Sequence, residues 1–382
     1  MEMQKRLPLL PRLSATLVLL VMVFTACGQP KNRIVKTETV DIVLDTVAKG
    51  ITIPFGMAFL PDGNLLVTDR GEGRIWKVDP RRGTKKALAN VPAVHDKDQA
   101  GMLDIILHPD YANNGWVYYS FSMKDGDLNG TAVERARIRR DSLVDRQRLF
   151  TTHPFFKNGA HYGSRFAFHD GHLYFTIGER YALRDSAQLL GNHLGKVIRL
   201  RDDGGVPADN PFVGKPGARP EIWSYGHRNP QGLAIHPATG ELWESEHGPK
   251  GGDELNLVKP GRNYGWPVIT YGVEYSGATI GDGITQKEGM EQPVKYYKPS
   301  IGPSGLAIYN GDRFPAWKGN FFTGALALTH LNRLVVSDGK IVKEERLLSD
   351  RKWRVRNVVQ DPDGYLYIGV DGGMVLRIRP AR

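Results

Sequence analysis

The segment 226–266 combines two arginines, three histidines, an acidic pair and a run of glycines within two predicted loops around one short strand. In it, Arg228 and Asn229 stand directly before Pro230, which biases the residue before it toward an extended backbone. A guanidinium whose direction is fixed in this way is well shaped to bind a carboxylate. Core packing does not need this mixture of residues, so we predict loops that hold a ligand.

Hard oxygen atoms follow in the same segment. A turn at Gly248 and Pro249 would expose backbone carbonyls, and Asp253 and Glu254 add carboxylates. Carbonyl and carboxylate oxygens are the ligands that Ca²⁺ prefers. No EF-hand spacing accompanies them, so only the chemistry of the donors indicates a metal.

Two residues outside this segment are suited to proton transfer. His161 lies in a glycine-rich stretch before a strand, where it would act either as a general base or as a turn histidine bonded to backbone. Glu179 follows the next strand and would orient an imidazole, hold a cation, or be a solvated loop acid. Gln99 precedes another strand, and either ligand binding or a structural role fits it.

Two further arginines, Arg354 and Arg356, are separated by one residue in a strand-like run. Alternate residues of a strand share a face, so the two cations repel unless an anion or an acid lies between them. The alternative is an exposed strand face. Together with Arg228 they form three predicted clamps for carboxylates.

The composition fits a basic protein with many turns. The chain has 382 residues, a formal net charge of +10, 44 Gly and 24 Pro. The excess of positive charge fits an exported basic protein or an anionic ligand held by arginines. No Lys/Arg run with interleaved aromatic residues occurs, so nucleic acid is not a predicted partner.

The N-terminus is predicted to be a targeting segment. Basic residues precede an apolar run at residues 13–24, as in an export signal, so residues 1–26 are predicted to be a signal peptide. The single cysteine, Cys27, follows in a lipobox-like context, which predicts a lipid anchor and a periplasmic or outer-membrane lipoprotein. The alternative is ordinary cleavage near Ala26. Residues 27–39 are predicted to be a linker.

Internal repetition predicts the architecture. A reverse turn followed by a short strand recurs six times, as LLVTD, WVYYSFS, HLYFTIG, ELWESEHG, FFTGAL and YLYIGVDGG. Six similar units predict an all-β six-bladed β-propeller over residues 40–382, with four antiparallel strands per blade. We expect the segment 40–43 to complete the last blade. A pair of β-sandwiches is the alternative, but it does not explain six similar phrases.

With these residues together, the chain resembles the soluble aldose sugar dehydrogenases of the glucose/sorbosone dehydrogenase family. These are six-bladed propellers that use pyrroloquinoline quinone (PQQ) and Ca²⁺. The resemblance covers nearly the whole chain after the N-terminal segment, and its most specific motifs are GHRNPQG, EHGPKGGDELN and NYGWP. It implies oxidation of an aldose at C1 to a lactone, with electrons passed to an external acceptor.

The resemblance also implies roles for individual residues. His161 would take the proton of the C1 hydroxyl, with Gln99 beside the substrate and the base. Arg228 would lie over the reactive quinone carbonyl, and Asn229 would also contact the cofactor.

The remaining implied roles concern the metal and the carboxylates of the cofactor. The carbonyls of Gly248 and Pro249 would bind the Ca²⁺ that grips PQQ, and Arg354 and Arg356 would clamp its carboxylates. A second, structural calcium would involve Glu254 and Tyr264.

Three positions depart from the family pattern. Glu179 stands where an aspartate is usual beside the base, and Ala327 or Leu328 stands where a lysine is usual in the fifth blade. An aromatic cover over the quinone would have to be Tyr297 or be absent, because Lys298 takes the adjacent place. These departures indicate weaker PQQ binding or a substrate other than glucose. A non-catalytic envelope propeller that binds a partner or glycan, and a Ca²⁺-dependent lactonase, are the competing hypotheses.

Overall fold

Six four-stranded antiparallel sheets make up the protein in a computed structural model, which describes residues 34–381. The first strand of each sheet contacts the first strand of the next, and the first strand of the sixth contacts that of the first. The sheets therefore close into a six-bladed propeller with the first strands around a central channel, as predicted.

Each of the first three blades contains four strands that follow one another along the chain. Blade 1 contains β2 (Pro54–Phe59), β3 (Leu65–Asp69), β4 (Arg74–Asp79) and β5 (Thr84–Ala87). Blade 2 contains β6 (Met102–Leu107), β7 (Trp116–Asp125), β8 (Leu128–Arg139) and β9 (Ser142–Thr151). Blade 3 contains β10 (Phe166–His169), β11 (His172–Ile177), β12 (Lys196–Arg201) and β13 (Ile222–Tyr225).

The other three blades follow the same plan, except that the last one ends with the first strand of the chain. Blade 4 contains β14 (Pro230–Ile235), β15 (Leu242–Glu246), β16 (Asp253–Val258) and β17 (Lys295–Tyr297). Blade 5 contains β18 (Pro303–Ile308), β19 (Phe321–Ala325), β20 (His330–Ser337) and β21 (Lys340–Leu347). Blade 6 contains β22 (Val355–Gln360), β23 (Leu366–Val370), β24 (Met374–Pro380) and β1 (Ile42–Lys49).

Helical structure is sparse in the described part of the chain. It consists of one short α-helix, α1 (Tyr111–Asn114), and 3-10 turns at Arg184–Gln188, Pro315–Trp317 and Ser349–Arg351. Within residues 34–381, no helix has the length and apolar character needed to cross a membrane.

The six repeated phrases of the sequence all form the second strand of a blade, namely β3, β7, β11, β15, β19 and β23. Each is buried along most of its length because blades pack on both of its faces. The predicted closing strand is confirmed and is longer than expected. It is β1, which pairs antiparallel with β24 and joins the two ends of the chain in blade 6.

The predicted N-terminal features lie mostly outside the described residues. The signal peptide at 1–26 and Cys27 belong to that part. The end of the predicted linker is described, and it contacts the propeller: Val35 pairs with Ile42, and Glu38 forms an ion pair with Arg333 at 3.2 Å.

Antiparallel pairing decides where a site can form. The start of each first strand and the end of each second strand lie at the same end of the ring. Three first strands begin with Pro-X-Gly, at Pro54, Pro230 and Pro303, and their pairing with the second strand is irregular there. Such irregularities redirect side chains. An added Cβ at Gly305 would lie 2.0 Å from Asn357 of the next blade, so the glycine permits close packing around the channel.

Arg165 fills the channel just before β10. Its guanidinium donates to the carbonyls of Phe55 at 2.6 Å, Gln231 at 2.7 Å and Arg356 at 3.2 Å, and it pairs with Asp104 at 3.4 Å. These partners belong to the first strands of four other blades. A buried cation with one counterion and three carbonyls is satisfied, so Arg165 links five of the six blades.

Candidate active site

Residues from several blades meet at the end of the ring where first strands begin and second strands end. His161, Arg228 and Arg354 lie just before the first strands of blades 3, 4 and 6. Arg70, Glu179, His247 and Asp371 lie just after second strands. The sequence predicted most of the residues in this region separately, among them His161, Glu179, Arg228, Arg354 and Arg356. The fold brings them to one end.

His161 and Glu179 form a hydrogen-bonded pair within blade 3. His161 Nδ1 lies 2.6 Å from Glu179 Oε2, and both side chains are buried. Glu179 therefore reaches the imidazole despite its extra methylene relative to aspartate. Burial lowers the pKa of His161, and Arg228 and Arg180 act in the same direction, while Glu179 opposes them. The ring is thus held neutral near pH 7, with Nε2 as its proton acceptor.

The backbone around this pair is strained. His161, Arg180 and Tyr181 have φ values of 50°, 66° and 61°, in the left-handed region that few side chains tolerate. The Tyr181 N–H donates to Glu179 Oε2 at 2.8 Å, and the Tyr181 ring meets the His161 ring edge-on at 5.3 Å. Strain held by such contacts is typical of functional sites.

Two predicted polar residues hold the His161 loop. Gln99 Oε1 accepts the backbone N–H of His161 at 3.0 Å. Asn229 Oδ1 accepts the N–H of Gly163 at 3.2 Å, and the Asn229 side chain is buried. Both therefore position the loop that carries the histidine. A direct contact of Gln99 with substrate or of Asn229 with cofactor stays a prediction.

Arg228 is buried between blades 3 and 4. Its Nη1 donates to the carbonyls of His247 at 2.9 Å and Gly248 at 2.7 Å, while its buried Nε has no partner. The guanidinium carbon lies 5.1 Å from the centre of the Trp266 ring. Arg228 is thus fixed in direction and retains an unused donor, which is what a polar ligand would need.

The turn predicted to expose carbonyls is tightly built. An added Cβ at Gly248 would lie 1.9 Å from the Gly252 carbonyl oxygen, so only glycine fits. Asp253 accepts the N–H groups of Gly248 at 2.8 Å and Gly302 at 2.7 Å. The Pro249 carbonyl accepts the Ser300 hydroxyl at 3.1 Å. A carbonyl oxygen has two lone pairs, so the carbonyls of Gly248 and Pro249 each retain one acceptor site.

The predicted pair of arginines shares an acid. Arg356 binds Asp371 through two bonds of 2.9 and 2.6 Å, and Arg354 Nε binds the same carboxylate at 3.2 Å. This confirms that the two lie on one side of the strand with an acid between them. Arg70, which the sequence did not single out, lies close enough to affect them electrostatically.

Two neighbouring cavities open at this end of the ring and share Pro249 and Tyr275 in their walls. One, of about 160 Å³, is lined by Glu179, Tyr181, Arg228 and Trp266 among others. The other, of about 370 Å³, is lined by Gly248, Ala327 and Arg354 among others.

The aromatic residue common to both cavities is Tyr275, which is 62% exposed, and Tyr297 lines neither of them. Tyr297 is buried against Ile301 and Ala325, and its hydroxyl meets Asn332 at 3.2 Å. Of the two predicted alternatives, a cover by Tyr297 or no aromatic cover at that position, the burial of Tyr297 supports the second. Ala327 lines the larger cavity, so no lysine projects from that position.

Glu254 lies in a second polar cluster, inside blade 4. Its register partner is Glu246, which is buried together with Glu244, His227 and Asn256, whereas Glu254 itself is partly buried. Burial raises the pKa of Glu254 well above its ordinary value, and Glu246 adds to the shift. His227, Glu244 and Glu246 place ligand atoms within 4.8 Å of one another.

Tyr264 borders this cluster. Its ring stacks on His227 at 4.5 Å, but its hydroxyl donates to the Leu257 carbonyl at 2.6 Å and accepts the Lys259 N–H at 2.8 Å. The hydroxyl is thus engaged within the protein. A structural calcium at Glu254 and Tyr264 stays a prediction.

Comparison with known proteins shows the family of the chain. The family model described as glucose/sorbosone dehydrogenase matches residues 51–377. The aldose sugar dehydrogenase YliI of Escherichia coli is 42% identical over 336 residues, covering 86% of this chain and 90% of that protein. The structure of the soluble aldose sugar dehydrogenase of E. coli in its apo form has a TM-score of 0.85 at 39% identity, covering 89% of this chain and all of that one.

A PQQ-bound structure is also similar. The aldose sugar dehydrogenase of Streptomyces coelicolor, solved with PQQ, has a TM-score of 0.74 at 30% identity and covers 88% of this chain and 98% of that one. Sequence and fold thus agree over nearly the same residues. The chain belongs to the glucose/sorbosone dehydrogenase family.

Proposed function

We propose that this protein is a PQQ- and Ca²⁺-dependent aldose sugar dehydrogenase that oxidises the C1 hydroxyl of an aldose to a lactone. The observation that carries the proposal is the buried His161–Glu179 pair, whose glutamate lines a cavity together with Arg228. A general base held next to a fixed cation fits the removal of a proton from a hydroxyl while negative charge develops nearby.

The residues fit an anionic, planar cofactor. Arg228 has a buried Nε without a partner, and Arg354 lines the larger cavity. PQQ carries three carboxylates, which these cations would offset. Arg228, Arg354 and Arg356 would hold it, with Asn229 beside it, and Tyr275 lies where an aromatic residue would border it.

The chain itself offers only some of the oxygen ligands that Ca²⁺ needs. Gly248 and Pro249 offer two carbonyl oxygens with one lone pair each, while Ca²⁺ takes about six to eight oxygen ligands. The remaining ligands would be cofactor oxygens and water. Metal and cofactor would therefore bind together, each completing the site of the other.

The proposed chemistry uses His161 as the base. PQQ, when bound, supplies the acceptor of the hydride from C1, and an external acceptor then removes the electrons. His161 takes the C1 hydroxyl proton at Nε2, because Glu179 holds Nδ1–H. Glu179 also stabilises the imidazolium that forms. Gln99 keeps the histidine backbone in place, and Arg228 presents a fixed positive charge to the reacting oxygen atoms.

The site favours a sugar for a further reason. Tyr181 and Tyr275 are exposed aromatic side chains at the cavities, with 51% and 62% of their surfaces accessible. Exposed aromatic faces next to polar groups suit the apolar face and the hydroxyls of a pyranose. This supports an aldose as substrate and leaves the particular sugar open. An exported location, with a lipid at Cys27, is proposed from the sequence alone.

The proposal is tested by adding PQQ and Ca²⁺ to purified apo-protein and measuring reduction of a dye acceptor with a panel of aldoses. We expect turnover with at least one aldose, and loss of it in His161→Ala. Hydrolysis of a lactone without PQQ would instead identify a lactonase. A folded protein that reduces no dye with any aldose would contradict the proposal.

A further inference from the structure

Arg70 lies directly after β3, at the place in blade 1 that Asp371 takes in blade 6. Its backbone N–H donates to the Ile53 carbonyl at 3.0 Å, which fixes the start of the side chain. The preceding Asp69 does not balance its charge, because that carboxylate accepts backbone N–H groups, including Thr52 at 2.8 Å and Ile53 at 3.0 Å. The turn is thus rigid, and Asp69 does not serve as a counterion for the Arg70 guanidinium.

The Arg70 guanidinium finds no such partner among residues 34–381. Its Nε is buried without a hydrogen bond, and Arg70 forms no ion pair with a described acid. The guanidinium carbon lies 5.9 Å from the ring centre of Phe55, and that ring is also faced by Arg165 at 4.0 Å. A partly buried cation whose Nε has no hydrogen-bond partner is costly unless an anion binds there.

The neighbouring charges increase that cost. Burial lowers the pKa of Arg70 to about 9, and Arg356, Arg165 and Arg354 act in the same direction, while Asp371 opposes them. Asp371 is already bound by Arg356 through two hydrogen bonds and by Arg354 through one. Asp371 thus serves two arginines at once, and the positive charge of Arg70 adds to theirs without a bound acid of its own among the described residues.

We propose that Arg70 is a further carboxylate-binding residue of the cofactor site, acting with Arg354 and Arg356 on an anionic ligand that enters the cavity beside Pro249. Arg354 lines that cavity and is joined to Arg356 through Asp371, while Arg70 lies near enough for their charges to act on it. A carboxylate bound at Arg354 would therefore be attracted by all three guanidinium groups. A guanidinium forms paired hydrogen bonds with a carboxylate, which Asp371 no longer offers. The inference rests on the proposed function in taking PQQ as the anion.

The experiment compares Arg70→Gln, Arg70→Lys and Arg82→Gln with the unchanged protein. Arg82 is a matched control because its side chain is 82% exposed and its only ion pair among the described residues, with Asp79, is 3.8 Å long. The Kd for PQQ is measured by absorbance titration in the presence of Ca²⁺, at low and high salt. We expect Arg70→Gln to raise Kd about 10- to 100-fold. Arg70→Lys should recover part of the affinity, and Arg82→Gln should change Kd less than about twofold.

The Tm of the ligand-free protein distinguishes a purely structural role of Arg70 from a role in binding the ligand. Removal of an uncompensated cation should leave the Tm of Arg70→Gln equal to or above that of the unchanged protein. A lower Tm together with an unchanged Kd for PQQ would overturn the inference.

A second anionic probe allows this inference to be tested independently of the proposed function. If the unchanged protein binds no PQQ, the proposed function fails, and benzene-1,3-dicarboxylate serves as the probe in a thermal-shift titration. Stabilisation of the unchanged protein but not of Arg70→Gln would still support Arg70 as a carboxylate-binding residue. If neither anion distinguishes the two proteins, the inference is wrong.

Discussion

The Oε2 atom of Glu179 accepts a hydrogen bond from His161 Nδ1 at 2.6 Å and another from the Tyr181 backbone N–H at 2.8 Å. One carboxylate oxygen thus fixes both the imidazole and the loop that places an aromatic ring against it. His161 precedes the first strand of blade 3 and Glu179 follows its second strand, so antiparallel pairing within one blade creates the contact. The longer acid at this position is compatible with an oriented base.

The charge of Glu179 should affect both the rate and its pH dependence. Glu179→Gln should lower kcat about 10- to 100-fold, because the imidazolium loses its counterion. Glu179 raises the pKa of His161, so its removal should lower that pKa further. The acidic limb of the pH profile of kcat/KM should therefore move to lower pH. Asp185→Asn, at an exposed acid nearby, is the control, and a limb that moves upward would contradict this role.

Tyr275 offers a test of the wall of the two cavities. Tyr275→Ala should weaken PQQ binding about 3- to 10-fold, the usual value of an aromatic contact. Because the side chain is 62% exposed, the free energy of unfolding should change by less than about 0.5 kcal/mol.

Tyr297→Ala is compared with Tyr275→Ala, because it should reduce stability and have little effect on PQQ binding. Tyr297 is buried, so its truncation should cost about 3 to 5 kcal/mol of stability, as for other large core residues. Chemical denaturation and a PQQ titration separate the two effects. Equal losses of stability in both variants would contradict the assignment of Tyr275 to the site.

Gly248 tests the turn that would hold the metal. A Cβ there would meet the Gly252 carbonyl oxygen at 1.9 Å, so Gly248→Ala should displace the turn and abolish the extra thermal stability gained from Ca²⁺ and PQQ. Gly191→Ala is the matched control, since its nearest atom would lie at 3.2 Å. Differential scanning calorimetry with and without both ligands measures the effect. Full stabilisation of Gly248→Ala by the two ligands would exclude this turn as the metal site.

Arg165 tests the closure of the ring. Arg165→Met removes four polar contacts and leaves Asp104 buried without its cation. We expect a loss of about 3 to 5 kcal/mol in the free energy of unfolding. Asp104→Leu added to Arg165→Met should restore part of the stability, because it removes the unpaired acid. No recovery in the double variant would show that the lost carbonyl contacts, and not the acid, dominate.

The sequence predicted the propeller because a reverse turn followed by a short strand recurs six times, a pattern that is visible in the sequence alone. The first strands were harder to find, since Pro54, Pro230 and Pro303 open them with a proline that interrupts regular pairing. Their shared Pro-X-Gly motif is a signal that could have located them.

Only part of the site was predicted, because some of its residues are distinctive in the sequence and others only through their position in the fold. His161, Arg228 and Arg354 lie in distinctive loops, whereas Arg70 is one arginine among many until its position after β3 is compared with that of Asp371 in blade 6. The exposure of Tyr275 and the burial of Tyr297 depend on how the long connection between β16 and β17 folds back, which local sequence does not specify.

The most direct test of the proposed cofactor site is a titration of the purified apo-protein with PQQ, followed by the absorbance of the quinone, with Ca²⁺ and with a chelator. We predict saturable binding of one PQQ per chain, weakened at least about tenfold by removal of Ca²⁺ and likewise by Arg228→Ala. Arg82→Ala should bind as the unchanged protein does. Absence of saturable binding in the folded protein, or binding unaffected by both Ca²⁺ and Arg228, would contradict the proposed cofactor site.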